Sequence, residues 1–381
     1  MKLMTNAIVI CSFILPFFVN AETLKEAYKD HFLMGTIWHG YKLGNDSRNR
    51  YIVKEKGITA AEFNAVTPEN CMKPMFIQPE EGVFTFAESD EMIEFAEANN
   101  LVVVGHTLVW KNQTPAWFFL DDKGGQVSRE VLIERLKMHI RTVVSRYRGR
   151  IDYWDVVNEA VAVDRSEGKR NQTASYKSTP WLEIIGPEYI EIAYRTAHEA
   201  DPSAKLLYND YNLDTEVKLD FSLALIADLK SRGVPIAGLG YQGHLFLKEP
   251  SLTAIERVLR KTKQADVPLH ITELDVSVLP NAWEHRSASV EERFKLDKKL
   301  NPYPDGVPQK ILAEQAKRYS DVFSLLLQYS DNIERVTFWG VWDGNSWRDY
   351  RPMLGRTDYP LLIDRKFEKK PAYDAVINLV K

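Results

Sequence analysis

The sequence has very little cysteine, which excludes one way of stabilising a fold. Only two cysteines, Cys11 and Cys71, occur in 381 residues. The first lies in an N-terminal segment that we expect to be removed, so the remaining chain keeps Cys71 alone. No internal disulfide can then form. A chain of this length can instead bury an apolar core that is large enough for stability.

The chain also lacks a strong charge of either sign. Its formal net charge is -4 at pH 7, and 27% of its residues are charged, as is ordinary for a soluble globular protein. A strongly basic surface, which nucleic acid or anionic lipid would attract, is therefore not predicted. We expect neither nucleic acid nor a membrane among the partners.

The apolar run at the N-terminus is too short to cross a membrane. It extends from Ala7 to Val19, whereas a spanning helix needs about 20 residues. One basic residue, Lys2, precedes it, and Val19-Asn20-Ala21 follows it with a small residue at a cleavage position. This pattern is typical of a secretory signal peptide. We predict a signal peptide over residues 1–21 and a secreted mature protein, extracellular or periplasmic, over residues 22–381.

No Gly/Ser/Pro-rich linker and no repeat of fixed period divides residues 22–381. Short apolar, β-branched runs alternate instead with longer amphipathic ones. This alternation predicts an α/β fold, a single (β/α)8 TIM barrel. The predicted strands are Met34–Trp38, Phe63–Thr67, Leu101–Thr107, Ile151–Val157, Ala204–Asn209, Gly238–Gly243, Leu269–Glu273 and Arg335–Gly340. The predicted helices are Arg50–Phe63, Ala87–Asn99, Val131–Tyr147, Glu188–Ala200, Thr215–Ser231, Leu252–Lys263, Gln309–Gln328 and Pro371–Val380.

One predicted strand ends in two polar side chains. The apolar run Ile151–Val157 is followed by Asn158 and Glu159 and then by a polar, Gly-containing loop. A strand buried on both faces has little use for such a pair, so we expect it to meet a polar ligand in a pocket. Alternatively, Glu159 caps the next helix or pairs with an arginine. A second carboxylate, Glu273, ends another predicted strand, and two carboxylates on different strands are what glycoside hydrolysis needs.

Several motifs occur together along the chain. They are Gly105-His-Thr-Leu-Val-Trp110, Trp154-Asp-Val-Val-Asn-Glu159, the segment Asp201–Asn212, Gly240-Tyr-Gln-Gly-His244, Ile271-Thr-Glu-Leu-Asp275 and Phe338-Trp-Gly-Val341 with Ser346-Trp347. Together and in this order they resemble glycoside hydrolase family 10, the retaining endo-β-1,4-xylanases. The resemblance covers nearly the whole mature chain, and several motifs are far more specific than one.

The resemblance implies a role for each residue of the catalytic centre. Glu273 corresponds to the nucleophile and Glu159 to the acid/base of a retaining double displacement. Asn158 matches the family residue that hydrogen-bonds the 2-hydroxyl of the sugar being cleaved. His244 matches the residue that contacts the nucleophile, and Asp275 the one that orients this histidine.

The resemblance also implies a set of sugar-binding residues, which follow the predicted strands. In a (β/α)8 barrel the active site is built at the C-terminal ends of the strands. Polar side chains there can chelate hydroxyls, while tryptophan faces lie against the sugar rings. Individually, each of these residues also has an ordinary interpretation as a surface or core residue. The expected substrate-binding residues are Glu69, Asn70, Lys73, His106, Trp110, Gln113, Asn209, Gln242, Trp339 and Trp347.

The sequence departs from the family's usual pattern at three places. Lys111 follows Trp110 where histidine is common, and Pro74 follows Lys73 where an aromatic residue is common. Trp342 stands where a small polar residue is usual. These departures leave the catalytic pair intact and leave the fine substrate preference open.

We therefore predict a monomeric endo-1,4-β-xylanase that cuts xylan and xylo-oligosaccharides internally. No metal or organic cofactor is expected, because no close-spaced His/Cys cluster marks a metal site. One alternative is a barrel glycosidase acting on cellulose or mixed-linkage glucan. Another is a non-catalytic polysaccharide-binding protein, against which both glutamates and Asn158 argue. The segment 281–308 is expected to be a rim loop, either a wall of the cleft or an inert insertion.

Overall fold

The structure, a computed structural model, describes residues 22–40, 46–164, 172–282 and 298–381. Side chains in the helix that begins at residue 46 are described from residue 50 onward. The predicted signal peptide lies outside the described residues. So does the part of the predicted rim loop from residue 283 to 297.

Eight parallel strands close into a barrel, which confirms the predicted fold class. Each strand pairs in parallel with the next, and the last pairs with the first. Their apolar, β-branched sequences suit strands that are covered on both faces. The barrel strands are β1 (Leu33–Trp38), β2 (Ala65–Pro68), β3 (Val102–Val109), β4 (Tyr153–Asn158), β5 (Lys205–Asp210), β6 (Gly238–Tyr241), β7 (Leu269–Ser277) and β8 (Ile333–Phe338).

Helices cover the outside of the barrel. In the helix Arg129–Arg146, for example, Leu132, Leu136, Ile140 and Val143 recur at helical spacing and are all buried, which is the pattern of an amphipathic helix packed against a core. The α-helices are Leu24–Ala27, Asp46–Glu62, Pro74–Ile77, Ala87–Ala98, Arg129–Arg146, Pro180–Ile185, Tyr189–Ala200, Glu216–Ser231, Leu252–Gln264, Gln309–Gln328 and Pro371–Ile377. Short 3-10 helices lie at Ala116–Phe118, Lys298–Leu300, Ser330–Asn332, Asp343–Asn345, Trp347–Asp349 and Asn378–Val380.

The structure differs from the prediction in the connection after β4. Part of the expected polar loop is an antiparallel hairpin of the strands Val161–Asp164 and Thr173–Tyr176. Each strand has only four residues, and the second alternates between exposed and half-buried positions. The second strand, Thr-Ala-Ser-Tyr, lacks the apolar content by which the other strands were recognised, so the pairing was not predicted.

The end of β7 was also predicted wrongly. The strand does not stop at Glu273 but continues to Ser277, where it pairs with a short strand, His244–Phe246. β7 pairs with β6 as far as Ile271, and its pairing with β8 is irregular before Leu274. Glu273 therefore lies where the barrel ladder is interrupted, and its backbone N–H donates to the carbonyl of Gln242 at 2.8 Å.

A pair of glycine substitutions tests this packing. Gly105 in β3 stands opposite Trp154 in β4, and a Cβ at position 105 would lie 2.2 Å from the indole Cε3. We expect Gly105→Ala to lower the free energy of unfolding by about 1–3 kcal/mol, the usual cost of overpacking.

The matched control is Gly57→Ala. Gly57 is helical, and a Cβ there would meet no heavy atom within 4 Å among the described residues. The free energy of unfolding should rise by about 0.5–1 kcal/mol, because alanine restricts the unfolded chain more than glycine does. Urea unfolding measures both, and equal effects of the two substitutions would contradict the described contact of β3 with β4.

Candidate active site

The backbone at Glu159 is held in an unusual conformation. Glu159 follows the last residue of β4 and has φ +59°. Residues other than glycine adopt this left-handed backbone conformation only at an energetic cost. Its N–H donates to the carbonyl of Asn209 at 2.9 Å, and the N–H of Ala160 donates to the hydroxyl of Tyr208 at 3.1 Å. These bonds from β5 fix the direction in which the Glu159 side chain leaves the barrel.

The carboxylate of Glu159 has two polar partners. Lys177 Nζ donates to Oε2 at 3.2 Å and Gln242 Nε2 donates to Oε1 at 3.3 Å. Burial by itself favours the neutral acid, but the ammonium of Lys177 and then the Trp110 side chain outweigh burial, so the pKa of Glu159 lies below its usual value. At neutral pH this carboxyl is an anion in the unliganded protein.

The carboxylate of Glu273 has a donor on each oxygen. Asn209 Nδ2 lies 2.9 Å from Oε1, and His244 Nε2 lies 3.1 Å from Oε2. The hydroxyl of Thr272 donates to Asn209 Oδ1 at 2.6 Å, which turns the amide nitrogen toward Glu273. The side chain is only 7% exposed, so this buried anion depends on its donors.

A chain of alternating charges extends behind Glu273. His244 Nδ1 lies 3.1 Å from Asp275 Oδ1, and Arg348 Nη2 donates to the same oxygen at 2.7 Å. Trp347 Nε1 donates to Asp275 Oδ2 at 2.9 Å. Burial favours a neutral Asp275, yet Arg348 and then His244 hold the pKa of Asp275 well below its usual value.

His244 is a cation in this arrangement. Burial would lower the pKa of its imidazole, but the carboxylates of Asp275 and then Glu273 raise the pKa to about 9. Both ring nitrogens then carry protons, so Nδ1 donates to Asp275 and Nε2 donates to Glu273. The imidazolium thereby stabilises the anion of Glu273 at neutral pH.

Amide side chains join the two carboxylates. Asn158 Oδ1 accepts from Asn209 Nδ2 at 3.1 Å and from Gln242 Nε2 at 3.5 Å. The same Asn209 donates to Glu273, and the same Gln242 donates to Glu159. Because its oxygen faces these two donors, the Asn158 amide group can present its nitrogen as a donor to a ligand.

Four of the expected sugar-binding residues form one polar cluster. Lys73 Nζ donates to Asn70 Oδ1 at 3.2 Å and Gln113 Nε2 donates to the same oxygen at 3.4 Å. The Lys73 ammonium also lies 5.1 Å from the centre of the Trp110 ring. Burial lowers the pKa of Lys73, against the opposing effect of the site's carboxylates.

Glu69 borders a histidine that the sequence did not single out. His39 Nε2 lies 3.8 Å from Glu69 Oε2, and His39 Nδ1 forms a short hydrogen bond with Glu55. Burial acts against protonation, but Glu55 and then Glu69 raise the pKa of His39 to about 9. Trp342, the departure noted in the sequence, donates from Nε1 to Glu55 Oε2 at 3.1 Å, so it supports this network from behind.

The remaining expected residues form an aromatic wall. His106 Nδ1 lies 2.9 Å from Asp155 Oδ2, and its ring meets Trp339 edge-on with centroids 5.4 Å apart. The His244 ring meets Trp339 at 6.5 Å and Trp347 at 4.7 Å. All the residues predicted from the sequence therefore belong to one connected region at the C-terminal ends of the strands.

Basic residues that contact carboxylates of this region, among them His39, Lys177 and Arg348, were missed in the sequence. His39 directly follows β1, so the same rule of polar residues after strands could have found it. Lys177 follows the hairpin that was not predicted, and Arg348 is an arginine that is only 1% exposed. Nothing in the local sequence marks either of these two as a partner of a carboxylate.

The described part of the chain lacks two further features. Among these residues, no three or more His, Cys, Asp or Glu side chains form a group that could hold a metal ion. No helix there has the length and apolar character needed to cross a membrane.

Comparison with known proteins gives consistent matches over the chain. The model of glycosyl hydrolase family 10 matches residues 23–379. Endo-1,4-beta-xylanase A of Xylanibacter ruminicola is 38% identical over 361 residues, which are 94% of this chain and 94% of that protein. Endo-1,4-beta-xylanase B of Paenibacillus barcinonensis is 40% identical and covers 91% of this chain and 97% of its own.

Solved structures give the same result. A family 10 endoxylanase retrieved from a sugarcane soil metagenome is 41% identical, with a TM-score of 0.85 over 93% of this chain and 99% of its own. Xylanase XynB from Paenibacillus barcinonensis, solved with a conduramine derivative, is 37% identical with a TM-score of 0.80. It covers 94% of this chain and 99% of its own.

The protonation of His244 can be measured directly. In protein labelled with ¹⁵N-histidine, the imidazole signal that disappears in His244→Asn should titrate with a pKa of about 9. In Asp275→Asn the pKa should fall, because the larger of the two carboxylate effects is removed. A His244 pKa near the ordinary 6.5 in the unchanged protein would contradict the imidazolium.

The sign of the stability effect follows from the raised pKa. A histidine with a pKa of about 9 when folded and about 6.5 when unfolded stabilises the fold fully below about pH 6.5. Its contribution is lost as the pH rises through about 9. The free energy of unfolding should therefore fall less over this interval in His244→Asn than in the unchanged protein.

Proposed function

The chain belongs to glycosyl hydrolase family 10, and from this premise we propose that Glu273 and Glu159 carry out its retaining hydrolysis of xylan. The activity is that of an endo-1,4-β-xylanase, which cuts internal β-1,4 bonds. The observation that carries the assignment of roles is the different setting of the two carboxylates. Glu273 receives a donor on each oxygen and faces an imidazolium, as suits an anion that attacks.

In the first step, Glu273 attacks the anomeric carbon from one side of the sugar. The bond to the leaving oxygen breaks, and protonated Glu159 gives its proton to that oxygen. Asn158 donates to the 2-hydroxyl, a contact that strengthens as positive charge develops on the ring. His244 and Asn209 hold the nucleophile in position. Their hydrogen bonds to Glu273 weaken as the ester forms, because the carboxylate loses its negative charge.

In the second step, water replaces the departed sugar. Glu159, now an anion, takes a proton from this water while the oxygen attacks the anomeric carbon and Glu273 leaves. Two displacements at one carbon restore the β configuration. Glu159 thus serves as acid and then as base, while Glu273 loses its charge in the ester and regains it when the ester is hydrolysed.

The polar cluster and the aromatic wall are the proposed binding surface for the xylan chain. Hydroxyl groups would exchange hydrogen bonds with Glu69, Asn70 and Lys73, and sugar faces would lie against tryptophan rings. Trp347 would close the side on which glucose carries its hydroxymethyl group, so that xylose is preferred by steric exclusion. Its anchoring to Asp275 at 2.9 Å supports this, because a fixed ring excludes better than a mobile one.

The remaining sequence predictions are part of the same proposal. Residues 1–21 are a signal peptide, residues 22–381 are the catalytic domain, and the mature enzyme is secreted and acts as a monomer on xylan and xylo-oligosaccharides. The pattern of residues 1–21 supports export. The family model supports the domain, since its match begins at residue 23, just after the predicted cleavage.

The assignment of roles is tested by removing Glu159. Glu159→Ala should cleave xylan about 10²–10⁴-fold more slowly, the usual contribution of a general acid or base. An aryl β-xylobioside with a good leaving group should still be attacked by Glu273, so the intermediate accumulates. Azide needs no general base and should accelerate turnover of this substrate, giving the β-xylobiosyl azide.

The matched variant is Glu273→Ala. Without the nucleophile, azide can displace the aryl group only directly, which inverts the carbon and gives the α-azide. The configuration of the azide, read by NMR, therefore assigns each glutamate. If the two variants gave the α- and β-azide the other way round, the roles would be reversed, and if neither responded to azide the proposed pair would be wrong.

A further inference from the structure

The contact of Lys177 with Glu159 is chemically unexpected for an acid. Lys177 Nζ lies 3.2 Å from Glu159 Oε2. A general acid must carry a proton when the substrate arrives, yet an ammonium in contact favours the anion. The contact would therefore oppose the first step unless something relieves it.

Lys177 is not a loosely held surface lysine. Its backbone N–H donates to the carbonyl of Ala160, the residue after Glu159, at 2.7 Å. Its ammonium lies 5.3 Å from the centre of the Tyr211 ring. The side chains of Lys177 and Glu159 are 20% and 12% exposed, so the pair is largely shielded but keeps some contact with solvent.

The other charges around Glu159 are paired differently. Lys218, on the helix Glu216–Ser231, lies 2.6 Å from the carboxylate of Asp210 in β5. Lys73, after β2, donates to Asn70. The anion of Glu273 faces Glu159 from β7, but it is held by His244. Lys177 is thus the cation that touches Glu159 within the described residues. Tyr211, near its ammonium, and Tyr208, which accepts from the N–H of Ala160, are further titratable groups on this side.

We propose that Lys177 is a positioning residue that holds Glu159 as an anion while the leaving-group side is empty and turns to a hydroxyl of the leaving sugar when that side is filled. An ammonium has three donors and a flexible stem, so it can exchange the carboxylate for a sugar oxygen. The bound sugar also displaces water from Glu159, which favours the neutral acid.

The proton balance of this exchange is simple. On substrate binding, Glu159 takes one proton from the solvent, and in the first step it delivers that proton to the leaving oxygen. After the sugar leaves, Lys177 returns to the Glu159 anion, which is the form that the second step needs as a base. The proton that Glu159 then takes from water is released to the solvent once the product has left, so the cycle closes on the resting anion and no net proton is consumed. Protonation of the acid is thereby linked to occupation of the leaving-group side. This inference relies on the proposed role of Glu159.

The test compares two pH profiles measured with xylohexaose. The alkaline limb of kcat/KM reports the acid in the free enzyme, and that of kcat reports it in the complex. In the unchanged enzyme, the limb of kcat should lie about one unit or more above that of kcat/KM. Lys177→Met should move the alkaline limb of the kcat/KM profile to higher pH by about one to three pH units, the usual effect of an adjacent opposite charge. The alkaline limb of the kcat profile should stay nearly in place.

Two further variants make the test specific. Lys177→Arg keeps the charge, so it should retain the gap between the two limbs. Lys111→Met removes an exposed ammonium from the same rim, where Lys111 donates to the Ser178 carbonyl at 3.2 Å, so it should leave both limbs in place. If Lys177→Met fails to fold, as judged by its melting curve, Lys177→Gln takes its place.

Three results would overturn the inference. In the first, the alkaline limbs of kcat and kcat/KM coincide in the unchanged enzyme. In the second, the kcat/KM limb of the Lys177 variant does not shift. In the third, Lys111→Met shifts the kcat/KM limb as much as the Lys177 variant does. An unchanged enzyme that does not cleave xylohexaose would instead contradict the proposed function. An aryl xylobioside with a good leaving group is the internal control. Its first step needs no acid, so the alkaline limb of its kcat/KM profile should be the same in the unchanged enzyme and in the Lys177 variant.

Discussion

The burial of a charged nucleophile is the constraint on which the rest of the site depends. A carboxylate away from water is stable only when donors or opposite charges surround it. Glu273 meets this requirement through His244, Asp275 and Arg348, which alternate in sign along contacts of 3.1, 3.1 and 2.7 Å. Removal of one member would take a charged partner from each of its neighbours, so the chain acts as a unit rather than as separate hydrogen bonds.

The barrel supplies the geometry that this chain of charges needs. Parallel strands bring their C-terminal ends to one rim, where Glu159 follows β4 and Glu273 lies in β7. The interruption of the ladder near Glu273 and the left-handed backbone of Glu159 are both local departures from regular structure. Such departures persist where surrounding contacts hold them, and here the contacts come from neighbouring strands.

The sequence was sufficient for the parts of the structure that depend on repeated local patterns. Apolar runs identified the eight strands, and polar residues after them identified the rim. Interactions between distant segments could not be predicted this way. Lys177 follows a pair of four-residue strands in which Val161 alone is buried, and Arg348 reaches Asp275 while almost fully buried. Because burial and pairing of charged side chains depend on the folded chain, neither has a sequence pattern of its own.

The proposed mechanism requires that Glu273 form a covalent bond with the sugar. A 2-deoxy-2-fluoro xylobioside with an activated aryl leaving group tests this most directly. The fluorine slows both steps, and the good leaving group restores the rate of the first step alone, so the covalent intermediate accumulates. Mass spectrometry should find one fluoroxylobiosyl group per protein, with the modified peptide carrying it on Glu273. A group attached to Glu159, or loss of the aryl group with no labelled protein at any time, would show that Glu273 is not the nucleophile.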